Sequence, residues 1–429
     1  MLKRIMNLLA MLFGAWPFLL GQQPAIDSFP ESKAAAIMNV LAGDSLRGRG
    51  NMTEELKKAG RFIISEFRDA GLQPLPGSDN FLHEFYPRDP AVERVPNVLE
   101  WNGQMLDHDD FDFLRSEPVS FLTRDLSSFT VIHVDSFSVN TLELYNDTSA
   151  DLLIWTDMPI EWKRPATPRG GIAGARLLVR AKEPPVTIRL VANPGYYGLI
   201  EYNIVAMLPG RTKPDECILF SAHYDHDGVV QGKDSIMNGA NDNASGTTAL
   251  IMLARYFSMR NDNERTLIFC AFAGEEIGLR GSNAMASHLT TLSRSLKIKA
   301  GINLEMLGYP QYGRKRVFIT GENYSTLPSI LKKELRMQDI RLIREPSEEK
   351  RLFARSDNFP FAKTGIPAHT IMASDDDEPC YHRPCDEVKR MDIPNLCFII
   401  RAVAAASAGL ISGRDTPGKL RLPNWPEFY

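Results

Sequence analysis

The feature that most constrains the fold is a series of short apolar runs that alternate with helical patterns after Asn203. The runs have the length and the apolar content of buried strands, and they read NIVAML, CILFSAH, TLIFCAFAG, AGINLEML, RVFITG and PAHTIMA. Helical patterns at 246–259, 325–337 and 393–411 lie between or after them. Apolar strands separated by helices predict an α/β fold in which a mainly parallel, mixed sheet is sandwiched by helices.

A different texture occupies residues 98–199. Four runs rich in β-forming residues occur there with turn residues between them, and they read FTVIHVDSF, ADLLIWTD, ARLLVRA and VTIRLVAN. No cluster of possible metal ligands accompanies these runs. We therefore predict an inserted β-rich module at 98–199, within a larger domain formed by residues 23–97 and 200–429.

An amphipathic helix is predicted over residues 53–72, before this insert. Thr53 can cap its N-terminus, because a threonine oxygen can accept a hydrogen bond from the first turn. Gly71 can end it in a left-handed conformation, with Leu72 packing back against the last turn. The helix belongs to the larger domain in this interpretation.

Composition excludes some classes of partner. The chain has 429 residues, 44% of them hydrophobic and 24% charged, with a net charge of -4. These values are ordinary for a globular protein with a sizeable core. Nucleic-acid binding requires a basic patch or stripe, so no nucleic-acid partner is predicted.

The first 22 residues resemble a secretory signal peptide. Lys3 and Arg4 precede an apolar stretch that ends before Gln22. The stretch is short for a membrane span of about 20 residues. We therefore predict export to the periplasm or the exterior and no stable membrane partner, with tethering as the alternative if the segment is not cleaved. In an oxidising compartment Cys380 and Cys385 could form a disulfide, whereas Cys217 and Cys270 lie in apolar runs and are expected to be buried.

Polar side chains follow the predicted strands where ligands bind in open α/β sheets, outside the carboxyl ends. His223 ends the run CILFSAH, and Asp225 could accept a hydrogen bond from its ring and fix the tautomer. Asp242 in GANDNASG could bridge two cations, or the segment could be a turn that caps the next helix. A lone histidine is more often structural, so the signal depends on the other strand ends.

Glu275 and Glu276 follow the very apolar run TLIFCAFAG. Neighbouring carboxylates at a buried strand end are costly unless something positive holds them. One of the two could bind a metal while the other acts as a general base. Glu305 lies at the end of another strand, and His382 lies between Cys380 and Cys385.

Mixed nitrogen and oxygen ligation without cysteine suits a catalytic zinc site. Three nearby features receive plainer interpretations. His226 and Asp227 are expected to shape their loop, the acidic run 375–378 is expected to be a solvated loop at the pocket rim, and Tyr381 is expected to pack rather than to touch substrate.

The order of these motifs resembles the exported zinc aminopeptidase family, which also includes glutaminyl cyclases and glutamate carboxypeptidase-like enzymes. The matching segments are HYD at 223–225, GANDNASG at 239–246, GEEIGLRGS at 274–282, NLEMLG at 303–308 and YH at 381–382. The lead-in segment LAGDSLRGRG at 41–50 is also similar to that family. The β-rich insert lies where many members carry a protease-associated domain.

The resemblance implies two zinc ions that share a bridging carboxylate. Asp242 would bridge them, His223 and Glu305 would complete one position, and Glu276 and His382 would complete the other. Glu275 would be the general base, and Asp225 would orient His223. The peptide bond between Asp242 and Asn243 would be cis.

Two residues depart from the family's pattern. Glu305 stands where aspartate is common, and its extra methylene shifts the metal position, so one zinc ion per chain stays an alternative to two. Asn358 follows Ser-Asp where the family usually has histidine, a change that concerns the pocket rather than the metal.

The sequence thus predicts an exported zinc metallopeptidase that acts on peptides through a metal-activated water, with release of N-terminal residues as the favoured activity. One alternative is a glutaminyl cyclase-like acyltransferase with a single zinc. The other is a non-catalytic, receptor-like relative. Such relatives usually lose ligands, whereas all five positions here hold residues able to bind a metal.

Overall fold

The computed structural model describes residues 29–86, 98–107, 110–114, 122–135, 150–158, 175–192, 200–229, 235–292, 295–346, 349–418 and 420–422. The predicted signal segment lies outside these residues. Within them, the stretch Ile393–Ile411 is long and apolar enough to cross a membrane. Since 67% of that window is buried inside the protein, it has the character of a core helix.

The strands of the described residues are numbered in chain order. They are β1 (Leu82–Phe85), β2 (Val98–Trp101), β3 (Gln104–Met105), β4 (Phe111–Leu114), β5 (Leu122–Asp125), β6 (Thr130–His133), β7 (Leu152–Thr156), β8 (Arg176–Arg180), β9 (Ile188–Ala192), β10 (Glu201–Leu208), β11 (Lys213–His223), β12 (Gly228–Val229), β13 (Ile236–Met237), β14 (Arg265–Phe272), β15 (Lys297–Glu305), β16 (Arg316–Ile319), β17 (Arg341–Leu342) and β18 (Ala368–Met372).

The α-helices are numbered in the same way. They are α1 (Glu31–Leu41), α2 (Glu54–Asp69), α3 (Gly246–Arg260), α4 (Arg280–Thr291), α5 (Leu327–Met337), α6 (Asn358–Lys363), α7 (Ile393–Ala406) and α8 (Ala408–Ile411). The predicted ends of α2 are confirmed. The Thr53 hydroxyl accepts a hydrogen bond from the Leu56 amide at its start. At its end, Gly71 has φ 77 and the Leu72 amide donates to the Phe67 carbonyl.

An eight-stranded sheet forms the centre of the larger part, in the order β1-β10-β14-β11-β15-β18-β16-β17. The four middle strands, β14, β11, β15 and β18, are parallel to one another. On one side β10 pairs antiparallel with β14, and on the other β16 pairs antiparallel with β18. The prediction of a mainly parallel, mixed sheet is confirmed, and the carboxyl ends of the four middle strands lie at one edge.

Helices cover both faces of this sheet, as the alternation of side chains along the strands shows. Ile218 and Phe220 of β11 join an apolar core that includes residues of α1, α2, α3, α5 and α7. Cys217 and Leu219 point into a second core, which includes residues of α4 and α6. Successive side chains of a strand face opposite sides. Both faces of β11 are therefore buried, and the edge of the sheet is left for polar groups.

Two smaller sheets occupy the described part of residues 98–192. Their orders are β3-β2-β9-β5 and β4-β8-β7-β6. Side chains of both sheets form one shared core, in which the rings of Trp101 and Trp155 lie 6.2 Å apart. This β-rich architecture agrees with the predicted texture, while the domain boundaries at 98 and 199 stay a prediction.

Candidate metal centre

The predicted ligands come from four strand ends that the sheet topology brings to one edge. His223 is the last residue of β11, Glu276 follows β14, and Glu305 is the last residue of β15. His382 lies in the loop after β18, and Asp242 lies in the irregular turn that precedes α3. Because β14, β11, β15 and β18 are parallel neighbours, residues far apart in sequence meet in space.

Asp242 lies between two histidines and presents one carboxylate oxygen to each. Its Oδ1 is 3.2 Å from Nε2 of His223, and its Oδ2 is 3.3 Å from Nε2 of His382. The peptide bond from Asp242 to Asn243 is cis, as the resemblance implied. A carboxylate with one oxygen toward each of two nitrogen ligands is the arrangement that a bridging ligand requires.

The backbone around Asp242 is held by a second carboxylate, that of Asp386. Its oxygens accept hydrogen bonds from the amides of Asn241 and Asp242, at 2.9 and 3.1 Å. On the other side, Asn243 donates to the Leu304 carbonyl at 3.0 Å. Asp242 is therefore held by contacts to the peptide units on both sides of it.

The adjacent Glu275 and Glu276 can face one site because the chain turns before them. Gly274 has φ 71, a left-handed conformation that favours glycine. The Asp225 carboxylate then accepts from the amides of Glu275 and Glu276, both at 3.2 Å, and from the Asn51 side chain at 2.8 Å. Asp225 thus holds the turn that carries both glutamates.

The contact between Asp225 and His223 differs from the expectation. Nδ1 of His223 is 3.2 Å from the backbone carbonyl of Asp225 and 3.8 Å from its carboxylate. A carbonyl can only accept, so the contact places the proton on Nδ1 and leaves Nε2 with a lone pair. The carboxylate is used instead by the amides of the two glutamates.

His226 and Asp227 contact the proposed ligands directly, so their interpretation as loop-shaping residues was too weak. Nδ1 of His226 is 2.8 Å from Oε1 of Glu276, whose Oε2 lies 3.3 Å from Nε2 of His382. Nδ1 of His382 is 3.0 Å from Oδ2 of Asp227. The available sequence signal was their position, immediately after His223 and Asp225 at the strand exit.

Glu305 lies apart from the tightest groups. Two sets of ligand-type side chains have their ligand atoms within 4.8 Å of one another in the described part of the chain, and they are His226, Asp242, Glu276 and His382, and His223, Glu275 and Glu276. Glu305 belongs to neither set but lines the same cleft as Asp242 and Glu275. Its Oε2 accepts from the Ser356 hydroxyl and, at 3.3 Å, from the Asn303 side chain.

His382 is presented by a short loop closed by a disulfide. Cys380 and Cys385 are bonded, which confirms the pairing that the sequence left open, and Cys217 and Cys270 are free and buried as expected. His382 has φ 50, uncommon for a residue other than glycine. The Tyr381 ring lies 4.1 Å from the His382 ring, and Tyr381 also lines the cleft.

The protonation of the cluster shows an excess of negative charge. Burial would raise the pKa of Asp242, but the adjacent rings of His223 and His382 outweigh it and lower that pKa. Burial would lower the pKa of His382, yet Asp227 and Asp242 raise it to about 10. Burial raises the pKa of Glu275 well above its usual value and that of Glu305 to about 7. Buried carboxylates in such number require positive charge beside them.

The orphaned ring nitrogens test whether these residues fit a metal. Among the described residues, Nε2 of His223 and Nε2 of His382 have no hydrogen-bond partner, although each is within 3.3 Å of an Asp242 oxygen. Both rings direct Nδ1 to an acceptor, so in the neutral ring each Nε2 presents a lone pair to a carboxylate. Two acceptors facing each other repel unless a proton or a metal cation lies between them. The donor set therefore fits divalent zinc.

The acidic run 375–378 is solvated only in part: Asp377 is exposed and Asp376 lines the cleft, but the other two residues correct the expectation. Asp375 and Glu378 are buried. Asp375 accepts from the Tyr312 hydroxyl at 2.8 Å, and Glu378 accepts from Arg390 at 2.6 Å. Asp375 and Glu378 are held inside because polar partners from other elements satisfy their carboxylates, and the sequence of the run alone does not reveal those partners.

Residues 203–407 match the sequence profile of Peptidase family M28. A probable zinc metalloprotease of Pyrenophora teres f. teres is 30% identical over 252 residues, which cover 53% of this chain and 48% of that protein. An aminopeptidase of Bacillus subtilis is 27% identical over 227 residues, covering 50% of this chain and 44% of that protein. The chain therefore spans less than half the length of these relatives.

Solved structures with the same fold include a zinc aminopeptidase of Bacillus subtilis. Its TM-score is 0.55 at 18% identity, over 90% of this chain and 97% of that one. A glutaminyl cyclase of an Acidobacteriales bacterium has a TM-score of 0.50 at 15% identity, over 90% and 96% of the two chains. These likenesses show the fold. The profile match, together with the motif order, shows that residues 203–407 are similar to Peptidase family M28.

Proposed function

We propose that this chain is a zinc-dependent metallopeptidase that acts as an aminopeptidase. The observation that carries the proposal is the placement of Asp242 between the Nε2 atoms of His223 and His382, with Glu275 and Glu276 beside them. No single member of this group is diagnostic. Together they supply nitrogen and oxygen donors, a bridging carboxylate and a further carboxylate that is free to move a proton.

We assign the ligands as two positions that share Asp242. His223 and Glu305 complete one position, and Glu276 and His382 complete the other. Zinc held there would supply Lewis acidity toward the scissile carbonyl and would make water a stronger acid. The number of ions is part of the proposal, and the similarity to probable zinc metalloproteases supports zinc as the metal without giving that number.

Glu275 is the proposed general base. It lines the cleft, follows a turn that Asp225 holds, and has a pKa that burial raises. A carboxylate with a raised pKa is a stronger base, so Glu275 can take a proton from the attacking water and pass it to the leaving amine. His223 and Asp242 stay as fixed groups in this step.

The substrate class follows from the charge of the cleft. The carboxylates of Asp242, Glu275 and Glu305 line it, and the one cation in the same lining, Arg355, is paired with Asp376. A free α-amine of a peptide is a cation and is attracted by such a wall, whereas an acylated N-terminus is neutral. This charge favours release of N-terminal residues over action at a C-terminus.

The test is metal content per chain, measured on the same purified sample as hydrolysis of matched peptides with free and acetylated N-termini. About two zinc ions with cleavage of free peptides alone supports the proposal. One zinc, no hydrolysis and cyclisation of an N-terminal glutamine peptide would replace it with the cyclase. No bound metal and no activity after zinc is supplied would favour the receptor-like alternative.

Export is proposed from the N-terminal segment, and the disulfide between Cys380 and Cys385 supports it, because such bonds persist in oxidising compartments. Fractionation of cells that make the full chain, with mass analysis of the mature N-terminus, tests it. Recovery of the intact chain in the cytosol would contradict export, and recovery of the intact chain in membranes would indicate tethering.

A further inference from the structure

We infer that His226 and Asp227 are positioning residues that make the Glu276–His382 position the tighter of the two zinc positions. The inference rests on the proposed function, because it assumes that zinc is the resident metal. It goes beyond that proposal by ranking the two positions and by naming two residues outside the ligand set as the cause.

Asp227 fixes the ring of His382. The 3.0 Å contact from Nδ1 to Oδ2 is between a ring N–H and a carboxylate, so it sets the tautomer and aims the Nε2 lone pair at Asp242 and Glu276. A carboxylate on the far nitrogen also makes the ring a stronger donor. His382 lies on a partly exposed loop, where its ring would otherwise rotate more freely.

His226 gives the two carboxylate oxygens of Glu276 different partners. Its Nδ1 binds Oε1 at 2.8 Å, which leaves Oε2 to face Nε2 of His382 at 3.3 Å. The His226 ring is buried and has little space to move, since a side chain on Gly239 would meet it at 2.5 Å. Glu276 is therefore held in one orientation by a rigid partner.

Both positioning residues are fixed by the backbone that carries them. They are consecutive and directly follow β11, where the His226 amide donates to the Arg49 carbonyl at 3.2 Å. The Arg49 guanidinium in turn binds the carbonyls of Tyr224 and Gly239, at 2.8 and 3.0 Å. The loop is thus tied to the turn that carries Asp242.

The other position lacks equivalent support. Nδ1 of His223 meets the neutral backbone carbonyl of Asp225 instead of a carboxylate. Oε2 of Glu305 is bound by the neutral side chains of Ser356 and Asn303, and Glu305 lies outside the groups whose ligand atoms converge. Zinc binding at this position would require Glu305 to shift, and that shift costs free energy. Zinc binding at the Glu276–His382 position requires no such shift.

The experiment is a calorimetric titration of the metal-free full chain with zinc. The wild type should bind in two resolved steps of unequal affinity. Asp227→Ala should weaken the tighter step by about 10–100-fold, the usual effect of removing such a hydrogen bond. Asp227→Asn retains an acceptor without charge, so its zinc affinity at the tighter step should lie between those of the wild type and Asp227→Ala. His226→Gln should also weaken the tighter step.

Matched controls are Asp262→Ala and His133→Gln, since both residues are exposed and belong to other regions. The thermal unfolding of each variant in EDTA shows whether it folds. If Asp227→Ala is misfolded, the test uses Asp227→Asn, whose side chain still offers a hydrogen-bond acceptor. Cobalt in place of zinc gives a second readout, because its visible absorption reports ligand geometry, and one equivalent should produce a changed spectrum in Asp227→Asn.

The two levels of failure are distinguishable. Absence of zinc binding by the wild type would overturn the proposed function itself. Zinc binding in two equal steps, or a tighter step that the Asp227 and His226 variants leave unchanged, would overturn this inference while the metallopeptidase assignment stands. Weakening of the looser step instead would reverse the proposed ranking.

Discussion

At the scale of single residues, the site is formed by carboxylates that each contact more than one neighbouring group. Asp225 accepts from two consecutive amides and an asparagine, and Asp242 faces two histidines. Strand-end placement and the GANDNASG motif marked the five proposed ligands in the sequence, and the family resemblance assigned them to two metal positions. It could not find the contacts of His226 and Asp227, because the direction in which a loop turns after a strand depends on partners such as Arg49 that lie far away in the chain.

Glu275→Gln should lower kcat by about 10²–10⁴-fold, since the amide cannot take a proton from water. The amide has nearly the same size, and the turn is held by backbone contacts to Asp225, so zinc content should not change. Steady-state kinetics on a free peptide, with metal content measured on the same sample, checks this.

The matched control is Glu54→Gln, on an exposed residue at the start of α2. Turnover of the Glu275 variant close to that of the control would remove Glu275 from the role of base. A joint loss of turnover and zinc would instead make it a ligand.

At the scale of elements, the turn before α3 could be predicted only as a motif. The sequence GANDNASG indicated tight backbone and a candidate bridging carboxylate, but it left open whether the segment was a simple helix cap. The structure resolves this with an irregular turn in which Gly239 has φ 55 and lies against both the Asp242 carbonyl and the His226 ring. Local propensity could not supply that answer, because the turn is set by contacts with Arg49, Asp386 and Leu304.

Gly239→Ala should destabilise the fold and weaken metal binding together. A Cβ there would lie 2.2 Å from the Asp242 carbonyl, in addition to the strain of a positive φ. Gly77→Ala is the matched control, because Gly77 has φ 85 but nothing within 4 Å of its added Cβ. The control should cost about 1–2 kcal/mol, the strain of the left-handed conformation.

The Gly239 variant should lose clearly more, as crowding of a packed backbone adds to that strain. Chemical denaturation of the metal-free proteins and zinc titration of the folded fraction measure the two effects. Equal losses in both variants would show that the turn can relax and that crowding is not what fixes Asp242.

At the scale of the whole molecule, the fold was predictable because periodicity and burial agree. Every apolar run predicted after Asn203 is a strand of the eight-stranded sheet, and the alternating sides of β11 enter two separate cores. The strand order was not predictable, since no local pattern tells which strands pair. The acidic run 375–378 was misread in part for a related reason: Tyr312 and Arg390, which bind its buried carboxylates, come from other elements.

The stability of the metal-free protein should fall as pH decreases from about 6.5 to about 4, in part because of His369. Its ring is buried between the Thr320 carbonyl and the Ser325 hydroxyl, and burial lowers its pKa to about 4. The unfolded chain takes up a proton near pH 6.5, but the folded chain does so only near pH 4. Proton uptake by this histidine therefore favours the unfolded state between about pH 6.5 and about pH 4. Above about pH 6.5 the ring is neutral in both states and does not affect the free energy of unfolding.

The contribution of His369 is at most about 3 kcal/mol across the window. His369→Gln should flatten that part of the pH profile, whereas His133→Gln, on an exposed residue, should leave it unchanged. Denaturation in EDTA at a series of pH values measures the slopes. Identical slopes for wild type and His369→Gln would show that folding does not lower the pKa of this ring.

The disulfide loop also affects how the protein should be handled in the laboratory. Cys385 is exposed and Cys380 is buried, so a small thiol reaches the bond from the Cys385 side. Dithiothreitol in a purification buffer would reduce the disulfide of the loop that carries His382, and it would also chelate zinc. Protein made in a reducing cytoplasm would lack this disulfide from the start. Activity assays should therefore use thiol-free buffers and protein produced in an oxidising host.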